Sequence, residues 1–376
     1  MEATRMNVRR RKYYRSVETI AQAAATAPSG SDSACDPAAS STPPLDTILC
    51  GDCIRLLNNW PEGWADLVFA DPPFNIGYLY RGYDDRLKTE DYLRFSRDWM
   101  SAVYRALKPT GSFYLAIGDE YAADLCVIAR REIGFHMRNW IIWHYTFGQQ
   151  TRKMFARSHT HILYFVKDPN AFTFNADAVR VASARQTTYG DSRANPRGKV
   201  PDDVWYLRPQ EAAPYGYFEP SADTWFASRV CGTFHEREGW HGCQMPIAVL
   251  NRIILASSNP GDVVLDPMNG SGTTVVSAAL LRRRYVGIDR EPAYVEFARK
   301  RVKEAIERAA ALGPDSQAPA PDPEAIHVLV RAAIDPNRES KLSTPTDAFG
   351  RKRVTRGKYR RRPSSAAGVA PSPDQP

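Results

Sequence analysis

The stretch "VFADPPFN", residues 68–75, drives an apolar run straight into an aspartate, two prolines and an aromatic ring. Val68, Phe69 and Ala70, with Leu67 before them, read as a short buried strand, and the prolines end it because neither can donate to a ladder. A rigid corner at a strand's carboxyl end is the result, and in open α/β sheets that edge is where ligands bind. Asp71, Pro72, Pro73 and Phe74 would then turn a carboxylate, two fixed carbonyls and a ring toward a pocket; taken alone, Asp-Pro-Pro also makes an ordinary turn.

A second stretch, "VVLDPMNGSGTT" at 263–274, is a strand leading through two glycines into a helix. Gly270 and Gly272 let a backbone turn tightly and approach a ligand. No lysine follows, so this is no GxxxxGK[ST] phosphate loop, and no third glycine completes GxGxxG. Asp266 at the strand's end would repel a pyrophosphate and suits a ligand carrying hydroxyl and ammonium groups. Further on, "YVGID" ends in Asp289, placed to accept from ribose hydroxyls, with Glu291 as the alternative acceptor.

These corners need a sheet to hold them. Strand patterns at 46–52, 66–70, 112–117, 139–145, 161–166, 262–266 and 285–289 alternate with helical ones, as a mostly parallel, doubly wound α/β sheet requires. The helix opening at Thr89 carries Tyr92, Leu93, Phe95, Trp99, Val103 and Leu107 at near-helical spacing, and Lys108, Pro109 and Gly111 are expected to stop it. A helix over 245–258 buries Ile247, Leu250 and Ile254, and another after Pro292 carries Val295, Ala298, Val302 and Ile306 on one stripe. Between 169 and 241 the pattern breaks into irregular polar and aromatic sequence.

The chain has 376 residues, 43% of them hydrophobic, enough for a sizeable core. No secretory leader and no apolar run near the membrane-spanning length is visible, so the sequence reads as a cytoplasmic protein with no membrane partner. Six scattered cysteines without a secretory context argue for free thiols. A net charge of +8 favours a polyanionic partner such as nucleic acid. Residues 1–44 read as a basic, then Ala-, Ser- and Pro-rich arm; 309–376 read as a disordered tail, and eight of the twelve residues from 351 to 362 are Lys or Arg, which suits nonspecific phosphate contact. Within 169–241, Arg180, Arg185, Arg193, Arg197 and Lys199 stand among Gln186, Thr187, Tyr189 and Asn195, side chains that can grip phosphates and read base edges; a solvated loop would have the same composition. Cys231, His235, His241 and Cys243 fit no common zinc-finger spacing, so no metal is expected, and His159 and His161 read as structural.

In their order, "GDCIRLLNNWPEGWADLVFADPPFN", then "HGCQMPIAVLNRII", "LDPMNGSGTT" and "GIDREPAYVEFA" resemble the S-adenosylmethionine-dependent amino DNA methyltransferases that act on adenine N6 or cytosine N4. The DPPF motif precedes the cofactor motif, as in the beta subgroup, where the target-recognition region lies between them. The resemblance spans roughly 45–308 and implies a Rossmann-like methyltransferase fold: a catalytic half at 45–168, a target-recognition region at 169–241 and a cofactor-binding half at 242–308. It implies catalysis by Asp71, Pro72, Pro73 and Phe74, and S-adenosylmethionine held by Asp52, Asp266, Gly270, Ser271, Gly272 and Asp289. Met268 and Met245 depart from the family's usual Phe and frequent Lys. Asp rather than Ser at the catalytic motif's first position leans toward adenine N6. The implied substrate is double-stranded DNA in the nucleoid, the target base is flipped from the duplex, and the resemblance admits a homodimer and a cognate restriction endonuclease as partners.

Overall fold

The computed structural model describes residues 42–80, 83–145, 151–181, 183, 185, 189–205 and 244–311. The strands are β1 (Thr47–Cys50), β2 (Ala65–Ala70), β3 (Leu79–Tyr80), β4 (Tyr83–Asp84), β5 (Leu107–Ile117), β6 (His136–His144), β7 (His159–Val166), β8 (Val204–Trp205), β9 (Val263–Asp266) and β10 (Arg284–Asp289). The helices are α1 (Cys53–Asn59), α2 (Thr89–Ala106), α3 (Ala122–Val127), α4 (Ile247–Ser257), α5 (Thr273–Leu280) and α6 (Pro292–Ala311), with a π-helical turn over Ile128–Ile133 and a 3-10 turn over Ala176–Val179. All strands but β3 and β4 form one sheet in the order β1-β10-β9-β2-β5-β7-β6-β8. Its pairings are parallel except where β7 runs antiparallel to β5 and β6.

Strand alternation explains the layers. Leu67 and Phe69 of β2, with Tyr114 and Ala116 of β5, join the core under α4, α5 and α6. Their neighbours Val68, Ala70, Phe113 and Leu115 join the core under α1, α2 and α3. A side-chain period of two sends successive residues to opposite faces, and a sheet covered on both faces must be apolar at nearly every position. Burial of each Val, Leu or Phe side chain among them stabilises by roughly 1.5–3 kcal/mol, which is why these strands read as continuous apolar runs.

Three expectations change. The helix stops ahead of Lys108, Pro109 and Gly111 as expected, but the strand expected from 112 begins at once at Leu107, and the residues between Leu107 and Ser112 bulge opposite Ala65 and Leu67, where a proline needs no ladder bond. The irregular stretch after 169 is joined to the sheet, since β8 pairs with β6 at its edge. Cys53 and Cys126 are free and buried, whereas Cys50 is disulfide-bonded, contrary to the expectation of free thiols throughout. Among the described residues no helix is long and apolar enough to cross a membrane. Residues 1–41 and 312–376, Gln186, Thr187 and the segment holding Cys231, His235, His241 and Cys243 lie outside the described residues.

Candidate active site

The pairing of β2 with β9, with Val68 opposite Leu265, brings the two motifs side by side although they are far apart in the chain. The carboxyl ends of β1, β10, β9 and β2 therefore deliver Asp52, Asp289, Asp266 and Asp71 in a row along one edge. All four acids line a cavity of about 270 Å³, together with Pro73, Gly270, Ser271 and an aromatic wall of Tyr80, Tyr83 and Phe95.

Each acid is held by its local structure. Asp52 caps α1, accepting from Arg55 N at 3.0 Å, and also faces the cavity. Asp289 accepts from Gly270 N at 2.8 Å and Glu291 N at 3.0 Å, tying the end of β10 to the glycine loop. Asp266 accepts from Met268 N at 3.1 Å. Burial pushes the Asp266 carboxyl up to about 7, against hydrogen bonds from Thr274 and Met268 and with Asp289 adding repulsion. Burial also raises Asp289. Gly272 has φ +77°, and a Cβ there would lie 2.9 Å from that of Ala298, so the loop needs glycine to lie against α6. Arg301 of α6 braces the loop, donating to the Ser271 carbonyl at 2.8 Å and the Thr273 hydroxyl at 2.9 Å.

At the Asp71 corner Pro72 is buried, and Tyr92 Oη donates to the Pro73 carbonyl at 2.7 Å. Phe74 does not line the cavity; it is partly buried, and a Cβ at Gly118 would stand 3.1 Å from its Cδ2. Asn75 follows in the left-handed region, φ 57°, which asparagine tolerates. Its side chain accepts from Leu87 N and donates to the Leu87 carbonyl and the Tyr121 hydroxyl. Asp85, 1% exposed, accepts from Asn75 N, Ile76 N and Tyr78 N at 2.8, 3.1 and 2.8 Å. Sequence reasoning missed Asp85, Tyr92 and Arg301; the Asn after DPPF was a visible signal, but nothing in the sequence marks the distant carboxylate that orders its loop.

Past the end of β5, Asp119 accepts from His161 Nε2 at 3.0 Å and lies 3.1 Å from His159 Nε2 and 3.3 Å from Arg157 Nε. Trp140 Nε1 sits 2.8 Å from His161 Nδ1 and can only donate, so the His161 proton is on Nε2 and that nitrogen has no lone pair for a metal. Burial lowers the His161 pKa, favouring this neutral ring.

None of Arg180, Arg185, Arg193, Arg197 and Lys199 lines the cavity. Arg180 and Arg197 pair with Asp177, Arg185 and Arg193 with Asp191, and Lys199 with Asp202. The two arginines, Arg193 foremost, hold the Asp191 carboxyl far below the usual range.

A mostly parallel sheet with one antiparallel strand inside it, and a crevice joining a glycine loop to an Asp-Pro-Pro corner, define a Rossmann-like methyltransferase. Residues 65–300 match the DNA methylase family of N6/N4 type, and this chain belongs to it. Among curated relatives it is 36% identical over 255 residues to type II methyltransferase M.HpaI of Haemophilus parainfluenzae, covering 68% of this chain and 73% of the relative. It is 34% identical over 259 residues to DNA adenine methyltransferase YhdJ of Escherichia coli K12, covering 68% and 82%. In fold it resembles the PvuII cytosine-N4-specific DNA methyltransferase, TM-score 0.50 at 16% identity, over 78% of this chain and 94% of that one.

The cofactor is S-adenosylmethionine, and the cavity suits it. Three acids, Asp52, Asp266 and Asp289, offer acceptors for hydroxyl, amino and ammonium groups, while the Tyr83 hydroxyl and both polar atoms of the Asn269 amide are buried without a partner on cavity-lining residues.

Proposed function

We propose that this protein methylates the N6 amine of an adenine flipped out of duplex DNA. One observation carries the reading: the Asp71 corner and the glycine loop with its acids open into a single cavity. An exocyclic amine is a poor nucleophile because its lone pair is delocalised into the ring. The Asp71 carboxylate accepts one of its N–H bonds and, as the family resemblance implies, the Pro72 carbonyl the other, while Tyr92 holds the adjoining Pro73 carbonyl. Two acceptors draw the nitrogen toward a tetrahedral shape, and the carboxylate stabilises the positive charge that grows on it and takes up or passes on the proton. S-adenosylmethionine supplies, when bound, an electrophilic methyl group on a charged sulfur. The protein's remaining task is alignment. Phe74, outside the cavity as it stands, would turn toward it to stack on a flipped base, a contact worth about 1–3 kcal/mol. Arg180, Arg185, Arg193, Arg197 and Lys199 contribute phosphate contacts by exchanging their acid partners, an exchange cheapest for the most exposed of them, Arg193 and Arg197, since exposed ion pairs are worth only about 0–1 kcal/mol.

Adenine is favoured by Asp at position 71 and by a 34% identical relative named as an adenine methyltransferase. Incubation with unmethylated genomic DNA and labelled S-adenosylmethionine, followed by digestion and mass spectrometry of the nucleosides, is expected to give N6-methyldeoxyadenosine. N4-methyldeoxycytidine would overturn the base assignment alone, and no methylated base would overturn the reading.

Two cofactor-side results are expected. Asp289→Ala weakens S-adenosylmethionine binding by about tenfold or more, the scale of one charged hydrogen-bond acceptor lost, and leaves DNA binding in place; unchanged cofactor affinity in calorimetry would refute the ribose role. Asp266 makes cofactor binding depend on pH. The folded carboxyl keeps its proton up to about 7, against 3.8 for an ordinary aspartate, so the cofactor-free fold takes up a proton over that interval and loses stability as pH rises through it. A ligand that needs the carboxylate must drive off that proton below about pH 7, so affinity strengthens severalfold between about pH 6 and about pH 8. Asp266→Asn binds weakly with a flat profile.

A further inference from the structure

The loop leading into β7 carries the most exposed aromatic ring among the described residues: Phe155 is 98% exposed, and Met154 beside it is 64% exposed. Lone apolar side chains on a surface need no explanation, but two adjacent ones at a loop tip do. They stand between Arg152 and Lys153 on one side and Arg157 on the other. Neither Arg152 nor Lys153 forms an ion pair among the described residues, in contrast to the five cations between 180 and 199, each of which meets an aspartate.

The loop's root is fixed beside the catalytic corner. Arg157 pairs with Glu120 at 2.7 Å and Asp119 at 3.3 Å, and Asp119 also receives His161, which is locked in turn by Trp140. Asp119 directly follows Gly118, the residue against which Phe74 lies. Phe155 is two residues from Arg157, so its Cα is within about 8 Å of that anchor. Cations without an ion pair among the described residues, an apolar tip and a rigid base therefore stand beside the corner that holds Asp71 and Phe74.

We propose that Met154 and Phe155 form the wedge that enters the DNA stack when the target base leaves it, with Arg152 and Lys153 on the flanking phosphates. The proposal rests on the DNA-methylating reading above. Extruding a base breaks stacking on both sides of the gap, and an apolar side chain inserted there replaces part of the lost contact. A ring 98% exposed gives up almost no buried surface to enter the gap.

The test compares wild type, Phe155→Ala, Phe155→Trp and Arg152→Ala/Lys153→Ala. Labelled methyl transfer is measured on unmethylated plasmid DNA, and flipping on a duplex carrying 2-aminopurine at the position wild type methylates. Phe155→Ala should keep wild-type Tm and S-adenosylmethionine affinity, lose at least tenfold in transfer rate and lose the fluorescence rise. Phe155→Trp should restore both, and the double variant should reduce the slope of log K against log salt by about 2. Transfer and fluorescence at wild-type levels in Phe155→Ala would overturn the wedge alone. A wild-type protein that methylates no DNA would overturn the wedge together with the reading beneath it.

Discussion

Asp71→Ala is expected to lower the single-turnover rate of methyl transfer by about a thousandfold or more while leaving the Kd for S-adenosylmethionine within about twofold. The size follows from two effects lost together: a positioned proton acceptor typically contributes 10²–10⁴-fold, and a preorganised charge facing the charge of the transition state a similar factor. Asp71 lies at the end of β2, whereas the acids of the glycine side come from β1, β9 and β10, so removing it leaves Asp52, Asp266 and Asp289 in place. Asp71→Asn separates the two effects. It keeps an acceptor oxygen for the amine but neither the charge nor the basicity, and an intermediate fall of about a hundredfold is expected. Rapid-quench transfer with saturating cofactor, beside equilibrium cofactor binding, reads both quantities. Turnover near wild type in Asp71→Ala would remove Asp71 from the chemistry.

The parts of this site that could be read from sequence are those whose geometry is local. A strand stopped by two prolines at Asp71, and a strand running through Gly270 and Gly272 into a helix, each fix their own backbone within a few residues, and both stand where expected. Their meeting depends on β2 pairing with β9, which no local pattern encodes; the order of the motifs supplied it through family resemblance. The early start of β5 was not legible because Lys-Pro-Thr-Gly has the composition of a turn, and only the neighbouring β2 turns it into a bulge in a long strand. The basic stretch from 180 to 199 was read for its cations and its neutral polar side chains, not for its acids. Asp177, Asp191 and Asp202 are just as visible in the sequence, but their pairing needs the fold. Asp85 was invisible for the same reason: its partners are seven to ten residues away across a two-residue hairpin, too short to show periodicity.

Asp85→Asn is expected to slow methyl transfer by about ten- to a hundredfold and lower Tm by several degrees, although Asp85 need touch neither substrate nor cofactor. Its carboxylate accepts three backbone N–H groups from Asn75, Ile76 and Tyr78, and its own carbonyl accepts a fourth from Gly77 at 2.8 Å. The chain leaving the Asp71–Phe74 corner is thereby wrapped around one buried anion. An amide of the same shape has one acceptor oxygen and presents an NH₂ to donors that need an acceptor, and each buried N–H left unsatisfied costs about 1–3 kcal/mol. The loop relieves that cost by moving. Phe74 and Asn75 begin the loop, and Tyr80 and Tyr83, which wall the cavity, lie on the hairpin that Asp85 closes, so a shift is felt on both sides of the reaction. A misplacement near 1 Å is enough for a hundredfold loss when catalysis depends on alignment. A purely structural role would lower Tm and leave kcat per folded molecule unchanged. A positioning role predicts that kcat falls at temperatures where the variant is fully folded, that cofactor affinity weakens only severalfold, and that Asp85→Ala, which removes every side-chain acceptor, is worse on both counts. Wild-type kcat in folded Asp85→Asn would show that the loop keeps its geometry without the charge.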